Sequence, residues 1–401
     1  MTSSGSVTPK AKSPEVWRAE RELLNRSRFE LTRRAVAGVP EALRVAGTPL
    51  LARPEWIPDR PVLLDDVHLE WVEGAAPAPI TGREASVRAS LPMAGGGAAF
   101  ERYADAVEVL ARPRLYENRQ CYRLLDVDHD PAGAPRLRFG RGSYFDVIDI
   151  CEASAHEFAA AAAQAGPGGA VPAVATPFRA EIADPMDLVR RSVVPGISTL
   201  TIRHDAAAGT ASFVLHWRDP AKVATGGGLY QVMPVGMFQP SADAPWNEAN
   251  DFDLWRSIAR ELSEELLGSS EDYGSGTRAI DYDGWPFYAA LREARRAGTA
   301  RVFWLGLGID ALTFVCDLLT VVVLDAATFD GLFPALASTN DEGHRVVDAE
   351  DDTGRAVGVP FRADHVERLT EREHMQPAGA ALLRLAWQHR ETLLPCGSVR
   401  D

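Results

Sequence analysis

The most regular hydrophobic pattern in the chain lies between residues 254 and 266. Apolar side chains recur there at every fourth position, at Leu254, Ile258, Leu262 and Leu266. This spacing places them on one face of a helix, because an α-helix turns once in 3.6 residues. The pattern therefore predicts an amphipathic helix that packs on a core.

Apolar runs typical of strands lie on both sides of this helix. Upstream, residues 197–203 and 211–217 predict two strands that are joined by a turn at 205–209. Downstream, residues 301–324 predict further strands, and a helix is expected from 377 to about 391. The order predicts an α/β fold in which a mixed sheet is sandwiched by helices.

The N-terminal region predicts a long leading helix. Ser13 is a suitable N-cap, Pro14 fits the first turn, and the helix is expected to continue over 16–36. Large apolar residues recur there at intervals of seven, at Trp17, Leu24 and Leu31. We expect this seam to pack on its own domain; a homodimer joined through it is the alternative.

Shorter elements are predicted between this helix and residue 165, giving an N-terminal α+β region. They are a connector at 47–62, a strand at 62–71, a loop at 74–99, a helix at 103–111, a strand at 122–127 and a helix at 146–163. The Gly- and Pro-rich stretch 166–175 is the predicted linker. The predicted division is therefore 1–12 disordered, 13–165 N-terminal region, 166–175 linker and 176–401 second domain.

Composition narrows the class of protein. With 401 residues, 46% hydrophobic and 24% charged, the chain is expected to fold into one or two soluble domains. A net charge of −14 argues against non-specific binding to nucleic acid or to anionic membranes. The four cysteines are widely spaced and no apolar signal segment is seen at the start. We therefore expect a cytoplasmic protein with reduced thiols.

The predicted helix at 254–266 also carries the strongest chemical signal. Glu261, Glu264 and Glu265 fall within an arc of roughly 100° on this helix. Three carboxylates this close repel one another unless a cation lies among them, and Mg²⁺ or Mn²⁺ prefers such oxygen ligands. The alternative is a solvated face on which Arg260 and Glu264 form an ordinary surface pair. Glu265 fits that alternative poorly, because it lies at the margin of the apolar face and needs a partner there.

The segment Arg260-Glu261-Leu262-Ser263-Glu264-Glu265 resembles the central block of the Nudix box, written G-x5-E-x7-R-E-U-x-E-E-x-G-U with U apolar. The resemblance implies a Nudix-like domain within 176–401 that hydrolyses a diphosphate linkage in a nucleoside diphosphate derivative. It further implies that the three glutamates hold Mg²⁺ or Mn²⁺ and perform catalysis, and that Arg260 orients them. Gly236 would then be the glycine that turns tightly beside the metal.

The frame around this block departs from the family pattern. Gly236 precedes Arg260 by 24 positions instead of 14, so an inserted loop is expected within 238–250. Glu248 lies 12 positions before Arg260 instead of 8, which leaves it only as a candidate general base. The later glycine, Gly268, is one position late. A non-catalytic Nudix-fold module that binds a nucleotide-like ligand and regulates is therefore the alternative function.

Residues outside the helix suggest how a ligand would be held. The candidate substrate-binding residues are Arg218, Lys222, Tyr230, Gln239 and Trp246. The two cations follow a predicted strand and could hold phosphates, unless they belong to a plain polar hairpin. The other three flank the glycine turn and could stack on or hydrogen-bond to a base, unless they are core residues.

Overall fold

The computed structural model describes residues 12–94, 97–113, 116–218, 228–334, 343–346, 349–350 and 356–394. The fold is mixed α/β, as predicted. Its strands are β1 (Leu50–Leu51), β2 (Val62–Leu63), β3 (His68–Trp71), β4 (Gln120–His129), β5 (Pro135–Ser143), β6 (Gly196–Asp205), β7 (Thr210–Phe213), β8 (Leu215–Arg218), β9 (Tyr230–Val232), β10 (Val235–Met237), β11 (Ala300–Asp310), β12 (Cys316–Asp325), β13 (Gly343–Val346), β14 (Ala349–Glu350) and β15 (Ala356–Pro360).

Helices connect and cover these strands. They are α1 (Pro14–Arg26), α2 (Arg28–Val36), α3 (Ala85–Ser90), α4 (Tyr103–Leu110), α5 (Tyr144–Asp146), α6 (Ala153–Ala165), α7 (Pro177–Ile182), α8 (Pro245–Asn250), α9 (Leu254–Leu267), α10 (Pro286–Arg296), α11 (Ala326–Leu332), α12 (Ala363–Glu371), α13 (Pro377–Gln388) and α14 (Arg390–Leu393). A π-helical segment, Val147–Glu152, joins α5 to α6. No helix within the described ranges has the length and apolar character needed to cross a membrane.

The largest sheet is mixed, with strand order β1-β11-β12-β6-β7-β15-β14. Its central strands β12 and β6 are parallel, whereas β10 adds to the sheet antiparallel to β6. Nearly every residue of β6 and β12 is buried, so both faces of these strands are covered. Helices α10, α11 and α13 pack against this sheet.

The N-terminal region packs directly against this sheet. Its strands form a small sheet in the order β3-β5-β4. The Tyr122 N–H donates to the Phe238 carbonyl at 3.1 Å, and their rings lie 4.5 Å apart. The Leu124 N–H donates to the Val193 carbonyl at 2.8 Å. One hydrophobic core therefore includes residues from both sides of the predicted linker.

Three predicted elements are each divided in the structure. The helix predicted over 16–36 breaks at Ser27, whose φ of −120° and ψ of 16° leave the helical region. The strand predicted over 62–71 contains a 3-10 turn at Leu64–Asp66. Its two ends pair in different sheets, β2 with β11 and β3 with β5, so one straight strand could not serve both. The strand predicted over 211–217 is likewise divided into β7 and β8.

The predicted seam of the leading helices is buried inside the chain. Trp17, Leu24 and Leu31 are 1%, 0% and 3% exposed. Leu24 and Leu31 pack with residues of α6, and the Trp17 ring lies 4.9 Å from the His156 ring. The first of the two alternatives is therefore correct for this seam, and a homodimer through another surface stays a prediction.

Other predictions fall partly outside the described ranges. Of the segment predicted to be disordered, 1–11 is outside them, and Lys12 forms an ion pair with Glu20 at 2.7 Å. The predicted linker is not α-helical and contains a short 3-10 helix, Ala173–Ala175. The cysteines within the described ranges are buried and unpaired, namely Cys121, Cys151 and Cys316.

Candidate active site

Helix α9 forms as predicted and fixes the position of the three glutamates. Asp253 caps its start, with the carboxylate accepting the Arg256 N–H at 2.8 Å. Gly268 ends it in the left-handed conformation at φ 69°. The apolar face is fully buried, with exposures of 4%, 1%, 0% and 1% at Leu254, Ile258, Leu262 and Leu266. This packing holds the carboxylates toward an adjacent cavity.

That cavity has a volume of about 1070 Å³, and all three glutamates line it. The arginines that line the same cavity include Arg119, from the loop before β4, and Arg218, from the end of β8. The site thus combines a carboxylate cluster with guanidinium groups. Such a combination suits a ligand that carries phosphate groups and a bound cation.

Glu261 lies directly against the backbone of β10. A Cβ atom built on Gly236 would lie 1.9 Å from Glu261 Oε1 and 2.0 Å from its Cδ. The present approach of strand and carboxylate therefore requires glycine at 236. The resemblance implied a tight turn at Gly236, but this residue lies within strand β10 and makes no such turn. Burial, together with the charges of Glu264 and Glu265, raises the pKa of Glu261 well above its usual value.

The other two glutamates each accept a hydrogen bond. The Tyr273 hydroxyl donates to Glu264 Oε1 at 2.8 Å, and the Val235 N–H donates to Glu265 Oε1 at 3.1 Å. Burial raises the pKa of Glu264 to about 7, and the Tyr273 hydrogen bond opposes that rise. Glu265 is 9% exposed and was expected to need a partner at the margin of the apolar face. The Val235 N–H is that partner.

Arg260 does not orient the glutamates, which corrects the role implied by the resemblance. Its guanidinium donates to the Tyr282 hydroxyl at 2.6 Å and to the Gln239 carbonyl at 2.7 Å. It also faces the Asp251 carboxylate at 3.6 Å. Because Asp251 is fully buried, its charge requires a nearby cation. Arg260 supplies that cation and anchors α9 to the segment inserted before it. The same contacts exclude a surface pair with Glu264.

Glu248 is also not where a general base is needed. Arg141 binds its carboxylate through Nε at 2.6 Å and Nη2 at 2.7 Å, and the Gln120 side chain donates to it at 2.6 Å. It is not among the described residues that line the cavity. Its position in α8, within the insertion, directs it toward the N-terminal sheet.

The candidate substrate-binding residues divide into two groups. Arg218 and Gln239 line the cavity with the glutamates. Tyr230 and Trp246 do not line it: Tyr230 exchanges backbone hydrogen bonds with the segment after α12, and the Trp246 indole donates to the Ser275 carbonyl at 3.0 Å. Lys222 lies outside the described residues.

Several cavity residues were not predicted. Glu271 and Tyr273 come from the loop after α9, and Asp317 is the second residue of β12. Asp317 had a usable signal, since it interrupts the most apolar run of the sequence. No sequence pattern indicated Arg119. Its Nη2 donates to the Ser241 carbonyl at 2.7 Å, and a contact between such distant parts of the chain leaves no local signal.

The donor set fits a hard divalent cation, although the ligands do not yet converge. Carboxylate oxygens are what Mg²⁺ and Mn²⁺ prefer, and Glu264 and Glu265 are near enough to Glu261 for their charges to raise its pKa. Among the described residues, no group of three acidic, histidine or cysteine side chains forms a ready-made coordination site. Glu264 and Glu265 would therefore rotate away from their present hydrogen bonds when a cation binds.

No protein-family model and no curated protein matches this chain.

Asp317 gives the protein a pH-dependent stability that can be measured. Burial raises its pKa from 3.8 to about 6, so the folded state holds a proton that the unfolded state has already released in this interval. Stability contributed by this group is therefore lost as pH rises through 6. We expect Asp317→Asn, which still accepts the Ser198 hydrogen bond, to be more stable than the parent at pH 8 and no more stable at pH 4. Denaturant unfolding at both pH values measures this, and an equal difference at both would contradict the raised pKa.

Proposed function

We propose that the protein is a Nudix-type hydrolase that cleaves a diphosphate linkage in a nucleoside diphosphate derivative and requires Mg²⁺ or Mn²⁺. The observation that carries the proposal is the cavity itself. Glu261, Glu264 and Glu265 of one helix open onto it, and Arg119 and Arg218 line the same space. The oxygens of a diphosphate are anionic, so the glutamates would repel it unless they held a cation. The arginines would attract the same oxygens directly.

Each group has a role in the proposed reaction. The three glutamates would hold the metal ion, which neutralises diphosphate charge and lowers the pKa of the attacking water. Arg119 and Arg218 would bind phosphate oxygens, for which the planar guanidinium is well suited. One of the glutamates would accept the proton of the water. Arg260 contributes indirectly, by fixing α9 through Asp251 and Tyr282.

Two further observations bear on the cellular compartment and on the class of substrate. The buried, unpaired cysteines Cys121, Cys151 and Cys316 suit a reducing cytoplasm. The net charge of −14 disfavours a nucleic acid polymer as the substrate. We therefore expect a small nucleotide-like ligand.

One observation favours the alternative, a non-catalytic module that binds a nucleotide-like ligand and regulates. Glu264 and Glu265 are each engaged by a hydrogen-bond donor, Tyr273 and Val235 respectively. A protein that never binds a cation would need such partners permanently, since buried carboxylates without donors are costly. In this alternative the cavity binds its ligand without turnover.

A screen for release of nucleoside monophosphate separates the two functions, because cleavage of the diphosphate linkage yields a nucleoside monophosphate and the phosphorylated partner group. Purified protein is incubated with nucleoside diphosphate derivatives of several bases, with Mg²⁺, with Mn²⁺ and with chelator. Metal-dependent release of product supports the hydrolase and names the base. Binding of the same compounds in calorimetry, without release, would replace it by the ligand-binding module.

A further inference from the structure

The cavity extends beyond the glutamates to a second wall that the Nudix resemblance does not include. This wall comes from α2, from the π-helical segment before α6, and from the end of β11, the start of β12 and the turn between them. We call it the distal subsite, and it consists of Arg28, Thr32, Glu152, Asp310, Thr313 and Asp317. Three of these six residues lie in the N-terminal region.

Two buried charged residues fix one side of the distal subsite. The side chains of Arg28 and Glu152 are only 4% and 2% exposed. Arg28 Nη2 donates to both carboxylate oxygens of Glu152, at 3.1 and 2.9 Å, and Arg21 donates to the same carboxylate at 3.1 Å. Glu152 ends the π-helical segment, an irregularity that is frequent at functional sites. Because breaking a buried ion pair is costly, these contacts hold the two side chains in place at the cavity wall.

Two aspartates form the other side, and each retains acceptor capacity. Asp310 uses Oδ1 to accept the N–H groups of Leu312 and Thr313, at 2.7 and 3.0 Å. Asp317 uses Oδ1 to accept the Ser198 hydroxyl at 2.9 Å. For both, Oδ2 has no hydrogen-bond partner among the described residues. Both aspartates line the cavity, so these oxygens can accept hydrogen bonds from a ligand there.

The chemistry of this wall discriminates among ligand groups. A phosphate would meet three carboxylates and be repelled. A hydrocarbon group would leave the Asp310 and Asp317 oxygens buried without donors. A polyhydroxylated group avoids both problems, because hydroxyls donate to carboxylates and accept from guanidinium and threonine hydroxyl groups. We propose that the distal subsite binds the sugar at the far end of a nucleoside diphosphate sugar, so that Thr32 and Asp317 determine substrate specificity. This inference rests on the proposed function.

Paired ligands test the distal subsite. Dissociation constants are measured by calorimetry for ADP, GDP, UDP and CDP and for the glucose conjugate of each, with Ca²⁺ in place of Mg²⁺ to slow turnover. We expect one conjugate to bind about tenfold more tightly than its parent diphosphate, as one or two well-placed hydrogen bonds provide. Asp317→Ala and the isosteric Thr32→Val should each reduce this ratio severalfold while leaving the affinity for the parent diphosphate unchanged. Asp325→Ala, at the opposite end of β12, is the matched control and should change neither value.

The outcomes distinguish the two proposals. If a nucleoside diphosphate binds but its glucose conjugate gains nothing, or gains equally in Asp317→Ala and Thr32→Val, the distal subsite is wrong and the hydrolase proposal stands. If neither diphosphates nor conjugates bind to the folded protein, the proposed function fails, and the distal subsite fails with it. Thr32→Val preserves side-chain volume, so a folding defect in Asp317→Ala does not obscure the result.

Discussion

Replacing Glu264 and Glu265 together by glutamine should abolish metal-dependent diphosphate hydrolysis, with a fall in kcat/KM of about 10³-fold or more. The two substitutions remove two of the three negative charges that would hold the cation. Glutamine retains a carbonyl oxygen that can accept the Tyr273 hydroxyl and the Val235 N–H, so the two hydrogen bonds of the present structure are kept. The loss is therefore expected in activity and not in folding.

Two further measurements make this result specific. Thermal unfolding without metal should show the double variant at least as stable as the parent, because fewer like charges are buried together around Glu261. Glu248→Gln is the matched control, because Arg141 holds Glu248 outside the cavity. We expect the activity of this variant to be close to that of the parent protein. An unchanged rate in the double variant would rule out the proposed role of α9.

The parts of the site that could be predicted are those encoded by local spacing. The apolar residues of α9 repeat every fourth position, and this period alone places the three glutamates together along one margin of the apolar face. The same local signals predicted the strands on either side of the helix. Gly236 was found through the family pattern, even though ten additional residues separate it from α9.

What could not be predicted depends on contacts between distant segments. Arg260 was expected to face the glutamates, but buried Asp251 and Tyr282 compete for it more effectively. That competition is decided by the path of the inserted segment, on which helical periodicity carries no information. Arg119 and Glu152 reach the cavity only because the N-terminal region packs against the main sheet. Their positions follow from tertiary structure and leave no periodic signal.

Gly236→Ala should reduce hydrolysis about 10²-fold while changing the free energy of unfolding little. The added Cβ would lie within 1.9 to 2.5 Å of the Glu261 carboxylate atoms, which is too close for the present arrangement. The atoms it meets are the end of a flexible side chain, so Glu261 can rotate away without moving the backbone of β10. The protein would then keep its fold, but one of the three proposed metal ligands would be misplaced by an ångström or more, a displacement that can cost about this much in rate.

The mechanism of this effect is tested by combining it with a change at Glu261. If Gly236→Ala acts only by displacing that carboxylate, Glu261→Gln and the double variant should lose similar activity, and the two effects should not add. Gly276→Ala is the control, because a Cβ there meets nothing within 4 Å. Additive losses in the double variant would show that β10 itself had shifted. A large drop in Tm for Gly236→Ala alone would lead to the same conclusion, since displacing the end of one side chain cannot account for it.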